Sequence, residues 1–228
     1  MLTDRSLLRL MTWLSPGFPV GAFTYSHGLE YAVEEGLVGD GEALRAWVEG
    51  IVTFGAGRLD AALFRRAWEA ADDAAALDDA SELAHCLRGS SELALESSAQ
   101  GAAFLRAVRD TWPHPVLDAW AARLDAAGRP APYAVAVGAT AAAQGIALRP
   151  ALGAFLHAFA ANLVSAGVRL VPLGQTAGQR ALAALEPAIL DAVDAALAAD
   201  PEDLGAAAPV VDWCSIRHET QYTRLFRS

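Results

Sequence analysis

The sequence contains no lysine: all 17 of its Lys+Arg positions are arginine. That absence removes whole mechanisms. A Walker-A loop sets its Lys on the β/γ-phosphates, and a Schiff-base enzyme needs a Lys amine. Any nucleotide hydrolysis linked to this chain therefore falls to a partner. Cysteine is almost missing as well, with only Cys86 and Cys214. Two cysteines build no disulfide framework. Asp4 and Arg9 interrupt the first apolar stretch, which a secretory signal excludes. The expected setting is a reducing cytoplasm. Strand-type alternation does not persist, no repeat period is evident, and there is neither a His-rich tract nor a C-x-x-C.

Charge of one sign is in short supply. Twenty-seven acidic residues against 17 basic ones leave a formal net charge of -10. Such a chain repels phosphate backbones and anionic headgroups, so neither nucleic acid nor a membrane surface is expected as a partner. Residues 130–148 and 150–168 carry no Asp, Glu, Lys or Arg and approach the ~20 residues that span a bilayer. The first is mostly Ala and Gly with Pro132 and Gln144. The second holds His157, Asn162 and Ser165, and Arg149 separates the two. Buried core helices account for both.

What is abundant is alanine, the best intrinsic helix former, within a 54% hydrophobic composition. Leu7, Leu10, Met11 and Leu14 share one helical face. Pro16, Gly17, Pro19 and Gly21 stop that helix, and Thr24 or Ser26 can cap the next. Asp40 caps a third, with Leu44, Trp47, Val48 and Ile51 at helical spacing. The Gly55-Ala56-Gly57 step breaks or kinks the chain. Residues 72–79 read as an acidic connector, and 111–115 as a Pro-rich break. Leu117, Trp120 and Leu124 mark a helix ending at Gly128. Pro150 suits the first helical position, and Thr176 with Gln179 forms a capping-box pattern. Leu182, Leu185, Ile189, Val193 and Leu197 make one stripe kinked at Pro187. The expected architecture is all-α: a compact single-domain bundle of about ten helices over residues 1–228. Residues 200–209 read as a flexible linker before a polar, aromatic, Arg-rich segment, 210–228.

Four places could carry function. Residues 13–36, WLSPGFPVGAFTYSHGLEYAVEEG, gather Phe18, Phe23, Tyr25, His27 and Tyr31 around Pro and Gly, as a packed loop or a rigid recognition surface. Ser26 lies in Thr24-Tyr25-Ser26-His27-Gly28, a nucleophile elbow lacking its first Gly. The approach is too short and Gly-rich for the strand such an elbow needs. Cys214 and His218 stand four apart, yet a stable transition-metal site needs three or four ligands. The pair reads as a small thiol and a hydrogen-bonded His, or at most a transient two-ligand site. Asp72-Asp73 and Asp78-Asp79 lack the alternation and central Gly of a calcium loop. In the last segment Arg217, Gln221 and Arg224 would share a helical face, with Tyr222, Leu225 and Phe226 supplying apolar mass. Arg and aromatic side chains are enriched at interface hot spots. The segment either docks on another chain or packs on its own domain.

Three ordered motifs resemble the urease accessory protein F (UreF) family: residues 13–38, residues 162–187 (NLVSAGVRLVPLGQTAGQRALAALEP) and residues 217–228 (RHETQYTRLFRS). Glu92 and Gly101 to Phe104 fit a weaker middle motif. The resemblance spans nearly the whole chain. It implies an all-α fold without catalytic activity, resident cofactor or metal site. It also implies a homodimer that binds the D-type urease accessory protein (H in some species), recruits the G-type GTPase, and serves nickel insertion into apo-urease. Carried over, it places partner contacts at Arg217, His218, Glu219, Gln221, Tyr222, Arg224, Leu225 and Phe226. Tyr25 and His27 in the opening motif, and Gln175, Gln179 and Arg180 in a loop over residues 175–180, become support or recruitment surfaces. Two rival functions remain: a small Ser26-dependent hydrolase, and a helical small-molecule binder using the groove between bundle helices.

Overall fold

The computed structural model describes residues 2–228, and no β-strand occurs among them. Twelve α-helices and one 3-10 turn follow in order. They are α1 Asp4–Trp13, the turn Ala22–Thr24, α2 Leu29–Glu34, α3 Gly41–Thr53, α4 Ala56–Glu69, α5 Ala74–Cys86 and α6 Ser91–Thr111. Then come α7 Pro115–Ala127, α8 Tyr133–Ala143, α9 Leu148–Leu170, α10 Gln175–Ala184, α11 Glu186–Ala198 and α12 Pro209–His218. The all-helical bundle expected from the sequence is what forms.

Alanine and glycine set its centre. In α8 every residue from Ala134 to Ala141 is buried. A helix apolar on all sides belongs in the interior, and α8 packs chiefly on α4 and α6. The approach is close because side chains are missing where backbones meet. A Cβ on Gly138 would lie 2.4 Å from the Phe64 carbonyl oxygen, and one on Gly101 2.0 Å from that of Ala131. Around this centre one core includes Trp13, Phe64, Phe104, Trp120 and Phe155. Helix α9 is long and apolar enough to cross a membrane, and half of its most apolar window is buried against the bundle.

Several local expectations hold. Asp40 caps α3 by accepting the Glu42 and Ala43 N–H groups, α7 ends at Gly128 in the left-handed region, and the chain breaks between α3 and α4. Others need correction. Residues 74–79 are the start of α5, capped by Asp73, because Asp78 and Asp79 find Arg123 and Arg66. Pro187 opens a separate helix, where its missing N–H costs nothing. Thr176 and Gln179 make no capping box; α10 begins one residue before Thr176, with Gly174 at its N-cap. Pro150 lies two residues inside α9, not at its first position. The buried face of α1 is Ser6, Leu10 and Trp13, so Leu7 and Met11 face outward. Residues 200–209 are fastened rather than free: Arg58 holds Asp203 and the Gly205 carbonyl, and Ala207 donates to Phe54.

Candidate functional site

Helix α12 carries opposite characters on its two faces. Val211, Cys214, Ser215 and His218 point inward, while Val210, Trp213, Ile216 and Arg217 face out. Its inner face lies on Gly28, where a Cβ would meet the Ser215 nitrogen at 2.7 Å. That glycine has φ 77 and follows His27 at φ 60. Two successive left-handed residues turn the chain into α2, and such strain in a non-glycine residue marks a position held by its surroundings. The helix ends at His218, so Arg217, Gln221 and Arg224 share no helical face. Residues 219–228 run on as an irregular strap.

Three carboxylates hold the strap. Glu30 of α2 accepts the Leu225 N–H at 2.6 Å, the Phe226 N–H at 2.8 Å and His218 Nε2 at 3.1 Å. Glu92, in the first turn of α6, takes His218 Nδ1 at 2.6 Å and the Arg224 guanidinium at 2.7 Å. Both nitrogens of His218 thus face carboxylate oxygens. One turn further, Glu96 meets His27 Nδ1 at 3.3 Å, the Ser228 hydroxyl at 2.9 Å and the Gln100 amide at 3.2 Å. The Ser26 N–H donates to the Ser228 carbonyl at 2.7 Å, joined by the Ser26 hydroxyl, and the Arg227 N–H reaches the Thr24 carbonyl at 2.8 Å. Arg169 of α9 covers the Phe226 ring at 4.3 Å. Buried ions are tolerated when each is paired and hydrogen-bonded, and these carboxylates are.

The sequence-predicted residues therefore divide. His218 and Phe226 lie inside the bundle, as do Tyr25 and His27, so in this conformation they cannot be contact side chains. Burial pushes the Tyr25 phenol above its ordinary range, and the Cys214 thiol up to about 11. Arg217, Tyr222, Arg224 and Leu225 are exposed, while Glu219 and Gln221 are half-buried. Glu219 accepts the Ser91 N–H and Gln221 pairs with Glu34. Gln175, Gln179 and Arg180 are exposed on the first turns of α10, a helix and not a loop.

Ser26 is no nucleophile: its hydroxyl is fully buried and engaged with Ser228, and His27 turns Nδ1 to Glu96. Cys214 and His218 are not joined as ligands, and among the described residues no cluster of three or more His, Cys, Asp or Glu could hold a metal. Sequence reading missed Glu30 and Glu96 altogether. Both lie in helical stretches, and the partners that tie them to other segments lie 69 to 196 residues away.

An all-α protein whose buried polar groups fasten its own C-terminal strap, leaving an apolar, Arg-bearing face outside, is the class this geometry defines. The chain belongs to the UreF family, whose model matches residues 38–186. The urease accessory protein UreF of Magnetococcus marinus is 48% identical over 234 residues, covering 100% of both chains. That of Rhodopseudomonas palustris strain BisB5 is 52% identical over 225 residues, 98% of this chain and 91% of its own. That of Granulibacter bethesdensis is 51% identical over 227 residues, 99% and 95% respectively.

Proposed function

We infer that this chain acts in urease maturation by association, with no bond-making chemistry of its own. It binds the D-type (H-type) accessory protein, recruits the G-type GTPase, and through that complex serves nickel insertion into apo-urease. It works in the cytoplasm as a homodimer, a state that light scattering of the purified chain tests. The reading rests on one observation: in a chain of the UreF family, Trp213, Ile216, Tyr222 and Leu225 are exposed, as are Arg217 and Arg224 of the same segment. Apolar side chains next to arginine on one surface are the composition of an interface centre. Helix α10, presenting Gln175, Gln179 and Arg180, offers a second surface for the GTPase.

The strap's buried half supports the reading indirectly. His218 and Phe226 fix the backbone from inside, so Tyr222 and Leu225 are presented in a defined arrangement, which lowers the ordering cost of binding. The test uses surface substitutions, because they leave the core intact. Tyr222→Ala combined with Leu225→Asp is expected to weaken binding of the D-type protein by roughly tenfold or more, with an unchanged circular dichroism spectrum. Undiminished capture by the doubly substituted protein rejects this face as the docking surface.

A further inference from the structure

Helix α2 supports the outer face of α12 through one residue. Tyr31 is buried, and its ring meets the Trp213 ring edge-on with centroids 5.4 Å apart. The Arg217 guanidinium stands 5.9 Å from the centroid of the same Tyr31 ring, and its Nε–H donates to the Tyr31 hydroxyl oxygen at 3.4 Å. Trp213 and Arg217 are themselves exposed, yet both rest on a side chain fixed in the core. They are ordered before any partner arrives, and an ordered side chain loses less entropy on binding.

The other end of Arg217 is unanswered. Arg45, Arg66, Arg123 and Arg224 are each paired with a carboxylate of their own chain. The Arg217 guanidinium has Tyr31 as its one hydrogen-bond partner among the described residues, through Nε, so Nη1 and Nη2 have none. Glu35 acts on it through space without an ion pair. A guanidinium held by Nε presents its two terminal nitrogens as a fork, the geometry that a carboxylate matches with two parallel hydrogen bonds. A polyanion is a poor match, because Glu34 and Glu35 at the end of α2 are exposed and the chain carries a net charge of -10.

We propose that Arg217 is the receptor for a single carboxylate, an Asp or Glu side chain of the D-type protein, with Trp213 and Ile216 taking the apolar surface around it. The inference rests on the docking role proposed for this face, and adds what the partner must present there.

The absence of lysine makes a specific test possible. Arg217→Lys gives the chain its only lysine, keeping the positive charge and losing the fork. With the D-type protein bound, a water-soluble carbodiimide activates carboxylates, and the introduced amine attacks the one it faces to form an amide. Mass spectrometry of the digested complex is expected to join position 217 to an Asp or Glu of the D-type protein. In parallel, Arg217→Gln is expected to weaken binding by roughly tenfold and Arg217→Lys by about threefold. The affinity of Arg217→Gln is also expected to fall less steeply with added salt than that of the unsubstituted chain. Both substitutions lie at an exposed position, so an unchanged circular dichroism spectrum is expected. Binding of Arg217→Gln within about twofold of the unsubstituted chain, or a complex of the Arg217→Lys protein in which position 217 joins no partner carboxylate, overturns the proposal. The protein carrying Tyr222→Ala with Leu225→Asp separates the two failures. If it binds undiminished, the docking reading falls and this inference with it; if its binding is weakened, the carboxylate receptor alone falls.

Discussion

The two cysteines show how completely surroundings rewrite a side chain. Cys86 is exposed and Cys214 is fully buried on the inner face of α12. Burial penalises the thiolate, raising the Cys214 pKa from its ordinary 9.0 to about 11. The thiolate is the nucleophile, so at neutral pH iodoacetamide is expected to modify Cys86 alone. Mass spectrometry should find Cys214 alkylated only in denaturant; equal labelling of both in the folded chain contradicts the burial. The same shift ties stability to alkaline pH. The unfolded thiol ionises first, so the contribution is whole below pH 9 and lost between about pH 9 and 11. Its size is about 2–3 kcal/mol, and the raised Tyr25 phenol acts in the same direction. A urea midpoint that falls across that window in the native chain, and less so in Cys214→Ala, is the expected signature.

Among the helices, α8 has no room for added volume where it meets α4. Gly138→Ala would drive a methyl carbon to 2.4 Å from the Phe64 carbonyl oxygen, and backbone cannot yield as a side-chain tip can. Overpacking of this kind costs about 1–3 kcal/mol, so a depressed thermal midpoint is expected, against near-neutrality for Gly50→Ala, where nothing stands within 4 Å. The contrast also shows what the sequence could express. Helix existence was legible, because Asp40, Gly128 and the spacing of Leu44, Val48 and Ile51 are local signals. Which face points inward was less so. In α1 the apolar set Leu7, Leu10, Met11 and Leu14 is broader than the buried one, and only packing selects Leu10 and Trp13. The acidic residues 78 and 79 looked like connector until Arg123 and Arg66 supplied their countercharge from other helices. Glu30, Glu92 and Glu96 were illegible as a site for the same reason: nothing near them in sequence announces a strap 132 to 196 positions away.

At the scale of the whole molecule, residues 210–228 are part of the fold and not an appendage. Their sequence left open whether the segment docks on another chain or packs on its own domain, and its inner side chains, Val211, Cys214, His218 and Phe226, pack on the domain. Deletion exposes the core at Val211, Cys214 and Phe226 and takes at least one donor from each of three buried carboxylates, Glu30, Glu92 and Glu96. Breaking one buried pair alone costs about 3–5 kcal/mol, comparable to the stability of many domains. The truncated chain is expected to keep its far-ultraviolet helical signal while losing near-ultraviolet ellipticity and a cooperative melt, the marks of loosened packing. A sharp melt within a few degrees of the full chain would show the strap to be dispensable.

That long-range closure has a bearing on biosynthesis. Residues 26, 30, 92 and 96 leave the ribosome well before residues 218 to 228, where each has a partner. Contacts of such separation form late, so a nascent chain displays an open acidic cleft until residues 218–228 have emerged. Slow elongation across the codons for residues 218–228 would lengthen the interval in which the emerging polypeptide is a substrate for proteases and chaperones.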